Sequence, residues 1–205
     1  MRSLFAVLIL AASLIGGPAM AIEQPKHQVE RAEGKFELRR YAPYVVAEVE
    51  VGGDQKQAVQ AGFRKLAGYI FGANQGRAKI AMTAPVAQAR KGEKIAMTAP
   101  VAQTPATAGR WTIQFMMPSA YRLDTLPRPN DPDVRFRQEP ARRMAVLTYS
   151  GVANAKNFAE RTAELESWIA TKGLKARSGA TLAQYDPPWT PWFMRRNEVQ
   201  IEVAE

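Results

Sequence analysis

Two hydrophobic periods run along this chain, and they separate its strands from its helices. Trp111, Ile113, Phe115 and Met117 alternate with Thr112, Gln114 and Met116, the period-two pattern of a strand with one buried face. Residues 55–70 instead set Val59, Phe63, Leu66 and Ile70 at helical spacing, which predicts an amphipathic helix there. A second helix is expected from a cap at Asn154 to about residue 172, with Phe158, Leu165, Trp168 and Ile169 as its apolar stripe and Gly173 as its stop. Further strands are expected at 79–86, 111–117, 181–185 and 198–203.

The order of these elements repeats. FELRRYAPYVVAEVEVGG (36–53) lies over VRFRQEPARRMAVLTYSG (134–151) without a gap, each with a central proline (Pro43, Pro140) and a closing glycine. Proline suits a bend between two strands because it has no N–H for the ladder. Each copy leads into one of the helices, so the chain reads as two β-β-α-β-β pseudo-repeats, about 29–117 and 133–203. The proline-rich segment 118–132 between them is expected to be a surface connector. The fold class that follows is α+β, a distorted antiparallel β-barrel with two amphipathic helices.

A second repeat is literal: KIAMTAPVAQ occurs at 79–88 and again at 94–103. In extended form Ile80, Met82, Ala84 and Val86 share a face, as do Ile95, Met97, Ala99 and Val101. Two such strands, joined by ARKGE, would form a hairpin. Met82 and Met97 then either line an apolar ligand site with soft thioethers or simply fill the core.

Composition narrows the function. Arg2, an apolar run at 4–15, the breakers Gly16 to Pro18 and the small residues Ala19-Met20-Ala21 have the order of a cleavable export signal, which predicts a mature chain of 22–205 and a periplasmic location. With no cysteine, disulfides, thiolate-bound haem and cysteine nucleophiles are excluded. The single histidine, His27, excludes histidine-rich metal sites and leaves little for a hydrolytic triad. The net charge of +9 comes from Lys and Arg spread along the chain, which favours a solvated surface and acidic small molecules over nucleic acid.

Several segments together resemble the SOUL haem-binding family: FELRRYAP (36–43), AGFRKLAGYIFGAN (61–74), both copies of KIAMTAPV, WTIQFMMP (111–118), LPRPNDPDV (126–134) and YDPPWTPWFMRRNEV (185–199). The resemblance spans about 29–203. It implies a distorted antiparallel barrel with two helices and an apolar cleft for haem or a related tetrapyrrole, with no enzymatic activity assured. A porphyrin needs a broad apolar surface for its ring and cations for its propionates. The first helix offers Phe63, Leu66 and Tyr69 beside Arg64 and Lys65, and the last segment offers Trp189, Trp192 and Phe193 beside Arg195 and Arg196. In some members of the family a histidine stands where this chain has Arg40. A guanidinium has no lone pair for iron, so Arg40 can hold a propionate but cannot replace an imidazole.

Three ways of holding haem stay open on these residues: hydrophobic contact alone, ligation by Met82, Met97 or Tyr69, or His27 folding over from the amino-terminal segment. The expected function is a non-catalytic carrier, buffer or scavenger of a tetrapyrrole. The alternative is a binding module for another amphiphilic small molecule or a protein partner, using an aromatic patch at 189–193. An enzyme acting on haem or peroxide would depend on the iron itself.

Overall fold

The computed structural model describes residues 22–76, 92–106, 109–187 and 189–205. The segment 1–21, expected to be an export signal, and the first KIAMTAPVAQ copy, with Met82 and the strand expected at 79–86, lie outside the described residues. Both helices form where the apolar stripes place them. Helix α1 (Gln55–Ile70) is capped by the Asp54 carboxylate, which accepts the Gln57 N–H at 2.8 Å. Helix α2 (Ala155–Thr171) is capped in the same way by Asn154 on the N–H of Asn157, also 2.8 Å. Such caps satisfy N–H groups that have no partner within the helix. Beyond α2 the chain turns at Gly173, whose φ of +66° suits a residue without Cβ.

The strands are β1 (His27–Glu33), β2 (Phe36–Tyr41), β3 (Tyr44–Gly52), β4 (Asn74–Gln75), β5 (Val101–Pro105) and β6 (Arg110–Met116), followed by β7 (Arg128–Pro129), β8 (Arg135–Glu139), β9 (Arg142–Ser150), β10 (Thr181–Gln184) and β11 (Arg196–Glu202). Nine form one antiparallel sheet in the order β1-β2-β9-β11-β10-β5-β6-β3-β8, which curls into a half-barrel; β4 and β7 pair separately. The molecule is thus α+β and barrel-like. The connector at 118–132 is less bare than its prolines suggest, because Asn74 and Gln75 recruit Arg128 and Pro129 into that small sheet.

Pro43 and Pro140 fall between strands, and what they bend is decisive. Strand β2 pairs with β9 rather than with β3, and β8 pairs with β3 rather than with β9. Within the one sheet β2 therefore lies against a strand of the second half of the chain, and β8 against a strand of the first.

One face of the sheet carries the helices. Helix α1 covers β3 and β6, burying Leu66, Tyr69 and Ile70 against Ala47, Val49, Ile113 and Phe115. Helix α2 covers β9 and β11, burying Phe158, Leu165, Trp168 and Ile169 against Ala145, Leu147, Val199 and Ile201. Helix α1 sits close because Gly62 has no side chain: a Cβ there would lie 2.5 Å from Ile113 Cγ1.

The second KIAMTAPVAQ copy does not form the expected hairpin strand. Residues 94–100 are irregular, and only its last residues, Val101 to Gln103, enter β5. Ile95 spends its N–H on the carbonyl of Ile70 at the end of α1 (2.8 Å), Thr98 donates its hydroxyl to the carbonyl of Met116, and Pro100 has no N–H for a ladder. Ile95 and Ala99 are buried while Met97 is exposed, so the alternation read from the sequence is broken.

The other sheet face, the concave one, is charged. Glu198 is fully buried and receives Arg39 Nη1 at 3.1 Å, the Tyr185 hydroxyl at 2.7 Å, Gln200 Nε2 at 2.8 Å and the guanidinium of Arg196. Burial opposes ionisation of Glu198, but Arg39, Tyr185 and Arg196 together hold its carboxyl below the ordinary glutamate value. Tyr41, which accepts from Arg39, is pushed up to about 12 chiefly by burial. Glu139 is gripped in turn by Arg137 (2.7 Å) and Arg142 (3.1 Å). The segment before β1 straps this side: the Glu23 carbonyl accepts the Ala99 N–H (3.0 Å), and the Lys26 carbonyl accepts that of Ala42 (2.9 Å).

Candidate functional site

A cleft of about 610 Å³ opens beside α1, on the helix-bearing side of the sheet. Val59 and Phe63, one turn apart and both partly buried, form one wall from α1. Phe63 is fixed by an edge-on contact with Phe115, ring centres 5.3 Å apart. The floor is the paired ends of β5 and β10, Val101 opposite Gln184. The far wall comes from the segment joining β10 to β11, through Asp186 and Arg195.

The border of the cleft is cationic on balance. Arg64 is exposed and donates from Nε to the Gln60 carbonyl at 3.4 Å. Arg195 donates from Nε to the Thr190 carbonyl at 2.8 Å, which anchors it to its own loop. Asp186 is the opposing charge, with its carboxylate accepting the Arg196 N–H at 2.6 Å. Apolar walls with two guanidiniums at the rim suit a flat apolar molecule carrying acid groups. The volume falls in the ordinary range for small-molecule sites, about 300–1,000 Å³.

Of the residues expected from sequence, the cleft gathers Phe63, Arg64 and Arg195. The others lie elsewhere. Leu66 and Tyr69 are on the sheet-facing side of α1, fully buried, and the Tyr69 hydroxyl donates to the Pro127 carbonyl at 3.0 Å, so it is already used in the core. Lys65 is held by Asp131 and Asp133, both at 2.8 Å. Arg40 sits on β2 in the other half of the molecule, bonded to Glu30 (2.8 Å) and Glu205 (2.6 Å), and reaches no part of the cleft lining. Arg196 turns to the concave face, with its guanidinium 4.1 Å from the Tyr185 ring centre. It points away from Arg195, the extended residue just before β11, because successive residues of extended backbone alternate sides. Met97 and Trp192, 43% and 61% exposed, both stand outside the lining. His27 is exposed on β1, its Nδ1 3.1 Å from the Pro25 carbonyl.

Val59, Gln60, Val101, Gln184 and Asp186 were not anticipated as site residues. Val59 was legible in principle, being one helical turn before Phe63; the others depend on which strand ends meet. Among the described residues the lining contains no histidine, methionine or tyrosine. These residues fit a porphyrin ring and its carboxylates, and supply no side chain of the usual axial type.

The family model described as SOUL heme-binding protein matches residues 22–202. This chain belongs to the SOUL haem-binding family. Two curated relatives are both named Heme-binding protein 2. The one from Mus musculus is 27% identical over 201 residues, covering 91% of this chain and 93% of its own. The one from Homo sapiens is 30% identical over 161 residues, covering 76% and 73%. Among solved structures, the EcmrR C-terminal domain is similar with a TM-score of 0.60 at 12% identity, covering 87% of this SOUL chain and 98% of that domain. A hydrolase from Listeria innocua is similar with a TM-score of 0.54 at 13% identity, covering 85% and 94%. At such identities these two likenesses speak for the fold alone.

Proposed function

We propose that this SOUL protein binds haem or a related tetrapyrrole in the cleft between α1 and the β10–β11 segment, as a periplasmic carrier, buffer or scavenger without catalysis. The observation that carries the reading is the apolar surface of Val59, Phe63 and Val101 bordered by Arg64 and Arg195. The ring would rest on the apolar wall, and the guanidiniums would meet the propionates as charge-assisted hydrogen bonds. Haem would contribute the redox-active iron; the residues that line the cleft contribute shape, apolar contact and charge. Export is supported by the order of charge, apolar run and small residues at 1–21.

The test is titration of residues 22–205 with ferric haem, followed in the Soret band, beside Phe63→Ala and an Arg64→Ala/Arg195→Ala variant. One saturable equivalent is expected. Phe63→Ala removes about 2 kcal/mol of ring contact and should weaken binding about thirtyfold. The double arginine variant should weaken haem but spare a porphyrin whose propionates are esterified. Absence of a saturable shift in the parent chain would remove haem and leave the cleft to another amphiphile.

A further inference from the structure

The segment joining β10 to β11 does more than wall the cleft. Between Asp186 and Arg195 it carries Trp189, Trp192, Phe193 and Met194, which are 83, 61, 59 and 65% exposed. A short 3-10 turn, Trp192–Met194, presents three of them and buries none of its residues. The Trp192 and Phe193 rings touch each other edge-on, 5.7 Å between centres, and stand out from both apolar cores. Four large apolar side chains this exposed and this close in sequence form a patch of the kind that marks a contact surface.

We propose that this loop docks the protein on the surface of an anionic phospholipid bilayer, with the cleft mouth facing the lipid. Three observations select that partner. Two of the four side chains are tryptophan, whose amphipathic ring settles at the headgroup level, and the other two supply apolar depth. The patch is a protruding loop tip whose flanking strands are both already paired within the sheet, β10 with β5 and β11 with β9, so neither offers an edge for strand addition by a protein partner. The charge is complementary: the full sequence carries +9, exposed Arg64 and half-buried Arg195 stand at the adjacent rim, and among the described residues Asp186 is the one acid in the cleft lining. Among the described residues no helix is long and apolar enough to cross a membrane. Because Asp186 and Arg195 both line the cleft and bracket the loop, docking the loop brings the cleft to the interface. This geometry holds whether the cleft takes haem or another amphiphile.

The experiment uses residues 22–205, which hold both cores and the whole sheet and lack the apolar leader that would bind lipid by itself. Co-sedimentation is measured, without haem, on vesicles of phosphatidylcholine alone and of phosphatidylcholine with phosphatidylglycerol at about seven to three. The parent should bind the anionic vesicles, bind the neutral ones less, and shift its tryptophan emission to the blue as Trp189 and Trp192 leave water. Trp189→Ser with Trp192→Ser and Phe193→Ser should weaken partition at least about tenfold, since the removed area is what the bilayer would cover. These side chains are exposed, so the fold should be kept, and an unchanged urea midpoint verifies that. Binding to neither vesicle, or binding that the triple substitution leaves unchanged, overturns the proposal. The first of these results would hand the patch to a protein partner. The haem titration is a separate readout, so failure of either reading leaves the other standing.

Discussion

Glu198→Gln keeps the shape of the side chain at the centre of the concave face and removes its charge. Arg39, with a side chain 4% exposed, then loses its main counter-charge while still out of water and keeps only the partly exposed Glu37, at 2.6 Å. Arg196 is 39% exposed and can turn its guanidinium to solvent, so its share of the loss is smaller. Removing one partner of a buried pair costs about 3–5 kcal/mol, and the partial solvation of Arg196 places the expected loss near the lower figure, about 3 kcal/mol. With a urea slope of about 2 kcal/mol per molar, the unfolding midpoint should fall by about 1.5 M at pH 7. Replacing both partners, Glu198→Leu with Arg39→Met, should cost much less than the two single changes summed, because no lone charge is then buried. The sign with pH follows from the lowered folded-state value of Glu198. Its stabilisation is complete above the unfolded-state value of about 4.3 and is lost as pH falls through the folded-state value. The gap between parent and Glu198→Gln should therefore close in acid, below about pH 4. A midpoint within about 0.3 M of the parent at pH 7, or a gap that widens in acid, would refute the reasoning.

Gly62→Ala should destabilise by about 1–2 kcal/mol in urea unfolding, because the new Cβ would meet Ile113 and the overpacking outweighs the helix-propensity gain of about 1 kcal/mol. An unchanged or raised midpoint would mean that α1 can lift from β6 at no cost. Asn154→Ala removes the acceptor for the Asn157 N–H and should lower stability by about 1 kcal/mol, with Asn154→Asp close to the parent. Arg40→His should leave the Soret spectrum of any haem complex as it is in the parent, since position 40 lies on β2 outside the cleft lining. A six-coordinate spectrum in that variant would move the binding site to β2.

The sequence by itself determined what depends on near neighbours. The stripes of Val59, Phe63, Leu66 and Ile70, and of Phe158, Leu165, Trp168 and Ile169, set both helices, because helical spacing and capping involve residues within a few positions of one another. The alternation from Trp111 to Met117 gave β6 for the same reason. Family membership was legible as well, since it rests on segments spread over the whole matched span. The tertiary structure alone decided what depends on distant pairing. Pro43 and Pro140 announced bends, but no local rule says that β2 should cross to β9 and β8 to β3. KIAMTAPV alternates as a strand does, yet in residues 94–100 the carbonyl of Ile70 and the missing N–H of Pro100 outweigh that pattern. In the sequence Arg40, Leu66, Tyr69, Arg195 and Arg196 are equally plausible contacts for a porphyrin, because sequence shows residue type and not direction. Which side of α1 meets the sheet separated Leu66 and Tyr69 from Phe63, and the alternation of extended backbone separated Arg195 at the cleft from Arg196 on the concave face. Val101, Gln184 and Asp186 became neighbours of Phe63 only when β5 paired with β10. Side-chain chemistry is written residue by residue, whereas a site is a coincidence of strand ends, and that coincidence is fixed by the pairing of the sheet.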